Sequence, residues 1–293
     1  MFPKFLPPQQ QLTEPAAIAL AQRIERQAIL TPLNSQAIAT AYLHQGQGGT
    51  PILLLHGFDS SVIEFRYLLP LLANQNETWA VDLLGSGFTE RVSGIAYDPP
   101  AIKTHLHCCW KLIDQPVILV GTSMGGAVAI DFALTYPEAV SQLVLINSMG
   151  LGGGFPLGQF LSAPFDALAV EFWRQRKLQA LNLCKLFTSW DTATLTALQC
   201  AALHLEMPGW QEAMIAFTKS GGYLTLANQV AQIRQPTLIL WGENDDTLGA
   251  NDAEQFKQAI AHSQLIWLKH CGHAPHLEQP QIVAQHILEV SKK

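Results

Sequence analysis

The chain has 293 residues, enough for one large domain or two ordinary ones, and 48% of them are apolar against 14% charged. That balance excludes global disorder, which needs low hydrophobicity and high charge. A net charge of −6, with scattered basic residues and no run longer than Arg174, Arg176 and Lys177, excludes a phosphate-tracking nucleic-acid surface.

Residues 2–11 are rich in Pro and Gln and lack a continuous apolar core, so no secretory leader is expected. Residues 1–14 read as an irregular arm, followed by a short helix that Thr13 would cap and Pro15 would open. Two strands, 27–31 and 36–42, flank a turn at Pro32-Leu33-Asn34-Ser35. The loop Gly46-Gln47-Gly48-Gly49 has no Gly-Lys-Ser/Thr ending and is no phosphate cradle. Short apolar runs follow at 52–55, 79–83, 117–120, 143–146, 237–240 and 265–268. Helix-length segments at 62–72, 100–112, 125–136 and 252–261 separate most of them. This alternation predicts an α/β fold, a mostly parallel sheet with helices on both faces. The apolar stretch 117–134 carries three glycines and a serine in its middle, which predicts strand, sharp turn and helix rather than a membrane span.

Between residues 146 and 237 the patterning is helical with no strand, and the interval opens on the glycine-rich 150–154. The expected division is an N-terminal arm and helix at 1–24, a core at 25–149 and 231–293, and a helical cap at 150–230. The cap carries Phe155, Phe160, Phe165, Phe172, Trp173, Phe187, Trp190, Met207, Trp210 and Phe217. Most are expected to pack the cap onto the core, and a minority to wall a cavity. The five cysteines, Cys108, Cys109, Cys184, Cys200 and Cys271, form no Cys-x-x-Cys pair and read as free thiols in a reducing compartment.

The chemistry concentrates at strand ends. The run 117–120 leads into Gly121-Thr122-Ser123-Met124-Gly125-Gly126 and then a helix. Gly-x-Ser-x-Gly in that setting holds a serine hydroxyl above the sheet on a strained turn, with small residues two before and two after. A serine needs a base, and His273 after the last strand is the candidate. His270, His273 and His276 recur at spacing three, but Gly272 and Pro275 forbid a regular helix aligning them, so a metal site is the lesser reading. His105 and His107 read as ordinary helix surface rather than ligands. The base needs an acid, and Asp245 in the turn after 237–240 is chosen, with Asp246 and Glu243 as rivals; Asn147, at the other usual position, cannot serve. The order Ser, Asp, His suits such a fold. An oxyanion hole is assigned to the backbone N–H groups of Phe58, in His56-Gly57-Phe58, and Met124. His56 reads as structural. The expected substrate contacts are Phe58, Asp59, Phe155, Trp190, Trp210 and Tyr223, with no cofactor and no metal.

On these motifs the chain resembles the α/β-hydrolase superfamily across roughly residues 25 to 290. A narrower likeness rests on His56-Gly57-Phe58-Asp59-Ser60-Ser61, Glu64 and Arg66, on Thr188-Ser189-Trp190-Asp191, on Ser220-Gly221-Gly222-Tyr223, and on Cys271-Gly272-His273 with Pro275-His276. These resemble stretches of plant chlorophyll dephytylases, as does the segment 21–26. The resemblance implies a serine ester hydrolase that removes phytol from chlorophyll through Ser123, Asp245 and His273. With neither leader nor span expected, the chain is expected to be cytoplasmic, and the resemblance implies peripheral contact with a thylakoid membrane through the cap. The elbow departs from the family, reading Thr-Ser-Met-Gly-Gly where Pro-Ser-Leu-Gly-Ala is expected, and the cap diverges between 195 and 207. Three alternatives therefore stand beside it: a generic carboxylesterase, a meta-cleavage C–C hydrolase whose elbow Ser-Met-Gly-Gly-Ala also resembles this one, and a non-catalytic binding protein. Epoxide hydrolases and haloalkane dehalogenases, which carry an aspartate nucleophile, do not fit Ser123.

Overall fold

A computed structural model describes residues 2–6, 12–152, 155–186, 192–224 and 226–292. Its centre is an eight-stranded sheet: β1 (Glu25–Thr31), β2 (Asn34–Gln45), β3 (Ile52–Leu55), β4 (Thr78–Val81), β5 (Val117–Thr122), β6 (Val140–Ile146), β7 (Thr237–Gly242) and β8 (Ser263–Leu268), ordered β1-β2-β4-β3-β5-β6-β7-β8. The β1–β2 and β2–β4 pairs are antiparallel, and every pair from β4 through β8 is parallel.

The parallel strands are apolar on both faces because both are covered. In β5, Val117 and Leu119 enter one core while Ile118 and Val120 enter the other. The first core takes α3 (Pro99–Trp110), α4 (Met124–Thr135) and α8 (Ala250–Ala259). The second takes α1 (Pro15–Ala21), α2 (Leu68–Ala73) and α10 (Pro280–Val290), and the short α9 (Pro275–Glu278) precedes α10. Each fully buried Leu, Ile or Val in these layers contributes about 1.5–3 kcal/mol.

Between β6 and β7 lie α5 (Phe165–Leu186), α6 (Thr192–Ala202) and α7 (Trp210–Lys219), with a 3-10 turn at Leu203–Glu206. They share a small core of Val170, Leu181, Ala202, Leu205, Trp210 and Met214, against which Phe58 of the main body packs.

Several local expectations need correction. The helix expected over 62–72 is two pieces, a 3-10 turn at Val62–Phe65 and then α2. Pro70 explains the break, since its ring would collide with the Arg66 carbonyl of a continuous helix. Thr13 does not cap α1; Glu14 holds that position, and the Thr13 hydroxyl donates instead to Gln199 Oε1 of α6 at 3.0 Å. His105 is buried rather than on the surface, because it shares the inner face of α3 with Ala101 and Cys109, and its Nε2 lies 2.7 Å from Thr40 Oγ1. The cap aromatics do not all pack inward either. Phe160, Phe165 and Phe172 are 83%, 63% and 65% exposed.

Candidate active site

Ser123 stands between β5 and α4 with φ 50° and ψ −119°, a conformation that L-residues avoid. The turn is that sharp because its neighbours lack side chains. A Cβ at Gly121 would come within 2.3 Å of Gly125 O, and one at Gly125 within 2.2 Å of Leu55 O. The backbone is tied on both sides, Ser123 N donating to Ile146 O and Ser123 O accepting from Met149 N, each at 3.0 Å.

The loop after β8 brings His273 Nε2 to 3.1 Å from Ser123 Oγ. On its other side His273 Nδ1 lies 3.0 and 3.1 Å from the two oxygens of Asp245, in the turn after β7. The Asp245 side chain is fully sealed from solvent, whereas that of His273 remains partly open. Burial pushes the Asp245 carboxyl up, but it accepts from Asn147 Nδ2 (2.6 Å), the His273 ring and Thr247 N (2.8 Å), and the net result lies below the usual carboxylate range. An ionised carboxylate on Nδ1 fixes the tautomer that leaves Nε2 free to take a proton from a hydroxyl.

Facing Ser123 is the loop after β3. A Cβ at Gly57 would lie 3.5 Å from Ser123 Cβ, so this loop runs beside the serine at about one side-chain contact distance. Met124 is the first residue of α4, and a helix leaves its first N–H groups without an intrahelical partner. His56 behaves as a structural histidine: Nε2 accepts from Leu83 N at 3.1 Å and Nδ1–H donates to Gly57 O at 2.8 Å. Burial lowers its proton affinity and keeps it neutral.

A cavity of about 430 Å³ opens over Ser123 and His273. Phe58 and Leu277 wall it from the body, and Trp173, Ala197 and Cys200 from the cap. Of the expected substrate contacts, Phe58 lines this cavity. Asp59 borders it, yet its side chain is 1% exposed and held beneath the cap, so its carboxylate is not offered to a ligand. Phe155, Trp210 and Tyr223 are not among the lining residues. The Phe155 ring backs Phe58 at 4.9 Å between centroids, Trp210 is in the cap core, and Tyr223 is buried against Phe217. Trp190 lies outside the described residues.

Sequence reasoning missed three residues. Asn147 holds Asp245, as above. Glu64, on the floor of the cavity, accepts from Gly57 N at 3.2 Å and from the Thr122 hydroxyl at 2.5 Å, and His276 Nε2 lies 2.9 Å from its Oε1. Burial pushes the Glu64 carboxyl up, but its contact with His276 outweighs that and brings it below its ordinary value. One carboxylate thus links the β3 loop, the serine turn and the segment after His273. Only the presence of Glu64 and His276 beside the other motifs could have signalled this. Among the described residues no group of three or more His, Cys, Asp or Glu side chains could hold a metal ion.

With this geometry in view, the model of the alpha/beta hydrolase family matches residues 52–286. The alpha/beta hydrolase domain-containing protein VTE7 of Arabidopsis thaliana is 35% identical, covering 97% of this chain and 88% of its own. The 2-hydroxy-6-oxo-2,4-heptadienoate hydrolase of Pseudomonas putida is 29% identical, covering 81% and 87%. Among solved structures, a thermophilic esterase from Thermogutta terrifontis superposes with a TM-score of 0.75 at 23% identity, covering 92% of this chain and 98% of its own, a likeness of fold.

Proposed function

The chain belongs to the alpha/beta hydrolase family, and from that premise we propose that it is a serine-dependent carboxylic ester hydrolase whose substrate is the phytyl ester of chlorophyll, split to chlorophyllide and phytol. The observation that carries the serine mechanism is the line Ser123 Oγ, His273 Nε2, His273 Nδ1, Asp245, with contacts of 3.1 and 3.0 Å.

In this mechanism His273 Nε2 takes the Ser123 proton as Oγ attacks the ester carbonyl carbon. The carbonyl π electrons move onto oxygen, and the N–H groups of Phe58 and Met124 hold that oxyanion, each donor contributing about 3–4 kcal/mol. Asp245 stabilises the imidazolium without itself taking the proton. Collapse breaks the carbon–oxygen bond to phytol, whose oxygen receives the proton from Nε2. Water, deprotonated by the same nitrogen, then attacks the acyl carbon, and the carboxylic acid leaves as Ser123 regains its proton.

The substrate assignment rests on the resemblance to chlorophyll dephytylases and on the apolar wall that Phe58, Trp173 and Leu277 provide for a hydrocarbon chain. Peripheral membrane contact belongs to the same proposal. Among the described residues no helix is long and apolar enough to cross a membrane, while Leu157, Phe160, Phe165, Leu168 and Phe172 project from the cap. Similarity to the heptadienoate hydrolase supports carbon–carbon cleavage of a vinylogous diketone as the second reading. Incubation with chlorophyll a, read by chromatography, is expected to give chlorophyllide, and Ser123→Ala is expected to give none. Turnover of p-nitrophenyl esters without chlorophyllide would overturn the pigment assignment in favour of a general esterase. Turnover of a meta-cleavage diketone alone would favour the second reading. Labelling of wild-type protein by a fluorophosphonate that survives Ser123→Ala would overturn the serine mechanism, and no labelling at all would favour a non-catalytic binding protein.

A further inference from the structure

Asp59 follows Phe58 directly and has a φ of +47°, in the left-handed region. Its carboxylate is sealed from solvent, and among the described residues the polar side chains bonded to it come from the cap. Trp173 Nε1 donates to Oδ2 at 3.2 Å, and Lys177 Nζ reaches the same oxygen and the Asp59 carbonyl, the latter at 2.9 Å. On Oδ1, Trp210 Nε1 donates at 2.9 Å and His204 Nε2 lies at 2.9 Å. These donors stand on α5, on the turn at Leu203–Glu206 and on α7, so one side chain gathers three cap elements. The neighbouring Phe58 ring is also enclosed by the cap, with Phe155, Trp173 and Phe217 at 4.9, 6.3 and 5.9 Å between centroids.

The other end of the same loop belongs to the body, where Gly57 N donates to Glu64 at 3.2 Å and the Gly57 backbone runs beside Ser123. The peptide bearing the Phe58 N–H is therefore clamped between a fixed core end and a cap-held end. A buried carboxylate stripped of its partners is strongly unfavourable, so Asp59 keeps its place only while the cap is seated. Substrate contact is not needed to explain it.

We propose that Asp59 is a positioning residue through which the seated cap sets the Phe58 N–H in the oxyanion hole, so that the cap governs catalytic competence as well as substrate fit. This rests on the serine-hydrolase reading above. Lifting the cap to admit a bulky ester would loosen the Asp59 contacts and turn the Phe58 N–H away, and reseating would restore it over bound substrate.

The test compares Asp59→Asn, Trp210→Phe, their double variant and Lys219→Met, which breaks a different cap ion pair with Asp166. Each is assayed with a p-nitrophenyl ester and titrated with phenylboronic acid, whose tetrahedral serine adduct places an oxygen in the oxyanion hole. Asp59→Asn is expected to lower kcat about 100-fold and Trp210→Phe about tenfold, each with KM within about twofold. Boronate affinity should fall by the same factors. The double variant should be no worse than Asp59→Asn alone, because both remove one strut. Lys219→Met should match wild type. Should Asp59→Asn fail to fold, Trp210→Phe decides. Wild-type kcat and boronate affinity in Trp210→Phe, or losses no greater than in Lys219→Met, would overturn the proposal. If wild type itself neither binds the boronate nor reacts with a fluorophosphonate, the serine reading has failed and the proposal falls with it.

Discussion

Asn147 stands at the end of β6, where an acid could equally have been placed, and its Nδ2 donates to Asp245 Oδ2 at 2.6 Å. Its Oδ1 meanwhile accepts from Gly242 N at 3.1 Å, so the same amide secures the end of β7 that leads to Asp245. The residue at this alternative acid position thus supports the acid instead of serving as one.

Asn147→Asp should therefore raise the pH at which activity is lost on acidification. In the wild-type protein the amide N–H helps hold the Asp245 carboxyl below its usual range. A second carboxylate at hydrogen-bonding distance replaces a donor with a like charge, and the two cannot both stay ionised. One proton is then retained to higher pH, and a protonated Asp245 no longer stabilises the imidazolium. The pH profile of kcat in wild type and variant checks this, and coincident acid limbs would contradict it.

The strain at Ser123 predicts a trade of stability against activity. Glycine accepts a positive φ without the penalty a Cβ incurs, so Ser123→Gly should be inactive and more stable by about 1–3 kcal/mol. Ser123→Ala keeps the Cβ and should be inactive with little such gain. Urea unfolding of the three proteins separates strain relief from loss of the hydroxyl. Equal stabilities for the Gly and Ala variants would show that the turn stores no strain at this residue.

The convergence of Ser123, His273 and Asp245 is legible in sequence because each follows an apolar run that must be a buried parallel strand, and the ends of such strands share one edge. The cap partners of Asp59 are not legible in the sequence because they lie 114 to 151 residues away, and no local pattern announces them. Glu64 and Asn147 were missed for the same reason, their chemistry being set by which loops meet. The outer face of α5 fails differently. Apolar residues at helical spacing say which side chains share a face, but not whether another element covers it.

His105 gives a pH dependence of stability independent of the active site. Full burial in α3 lowers its pKa from the ordinary 6.5 to about 4. The unfolded chain thus takes up a proton that the native ring refuses, and stability is lost as pH falls from 6.5 toward 4. At about 1.4 kcal/mol per pH unit, the ring accounts for a loss of about 2 kcal/mol between pH 8 and 5. His105→Gln cannot take up that proton and should show a correspondingly smaller loss over the same interval, measured by urea unfolding. An unchanged loss would mean the ring is protonated in the native state.

The proposed membrane contact through the cap makes a prediction about side chains that do no chemistry. Phe165, Leu168 and Phe172 recur at spacings that place them on one face of α5, and Leu157 and Phe160 precede that helix. A water-exposed aromatic contributes little to the fold, so substituting it should be nearly neutral for stability. At a lipid interface each ring removes apolar area from water at about 25 cal/mol per Å², and loss of three should act together. The triple variant Phe160→Ser, Phe165→Ser, Phe172→Ser is therefore expected to lose cosedimentation with phospholipid vesicles while its kcat on a soluble p-nitrophenyl ester stays at the wild-type level. Turnover of chlorophyll embedded in those vesicles should fall with binding, whereas turnover of detergent-dispersed chlorophyll should not. Equal vesicle binding by the variant and wild type would remove these rings from the interface and leave their exposure without a role in membrane contact.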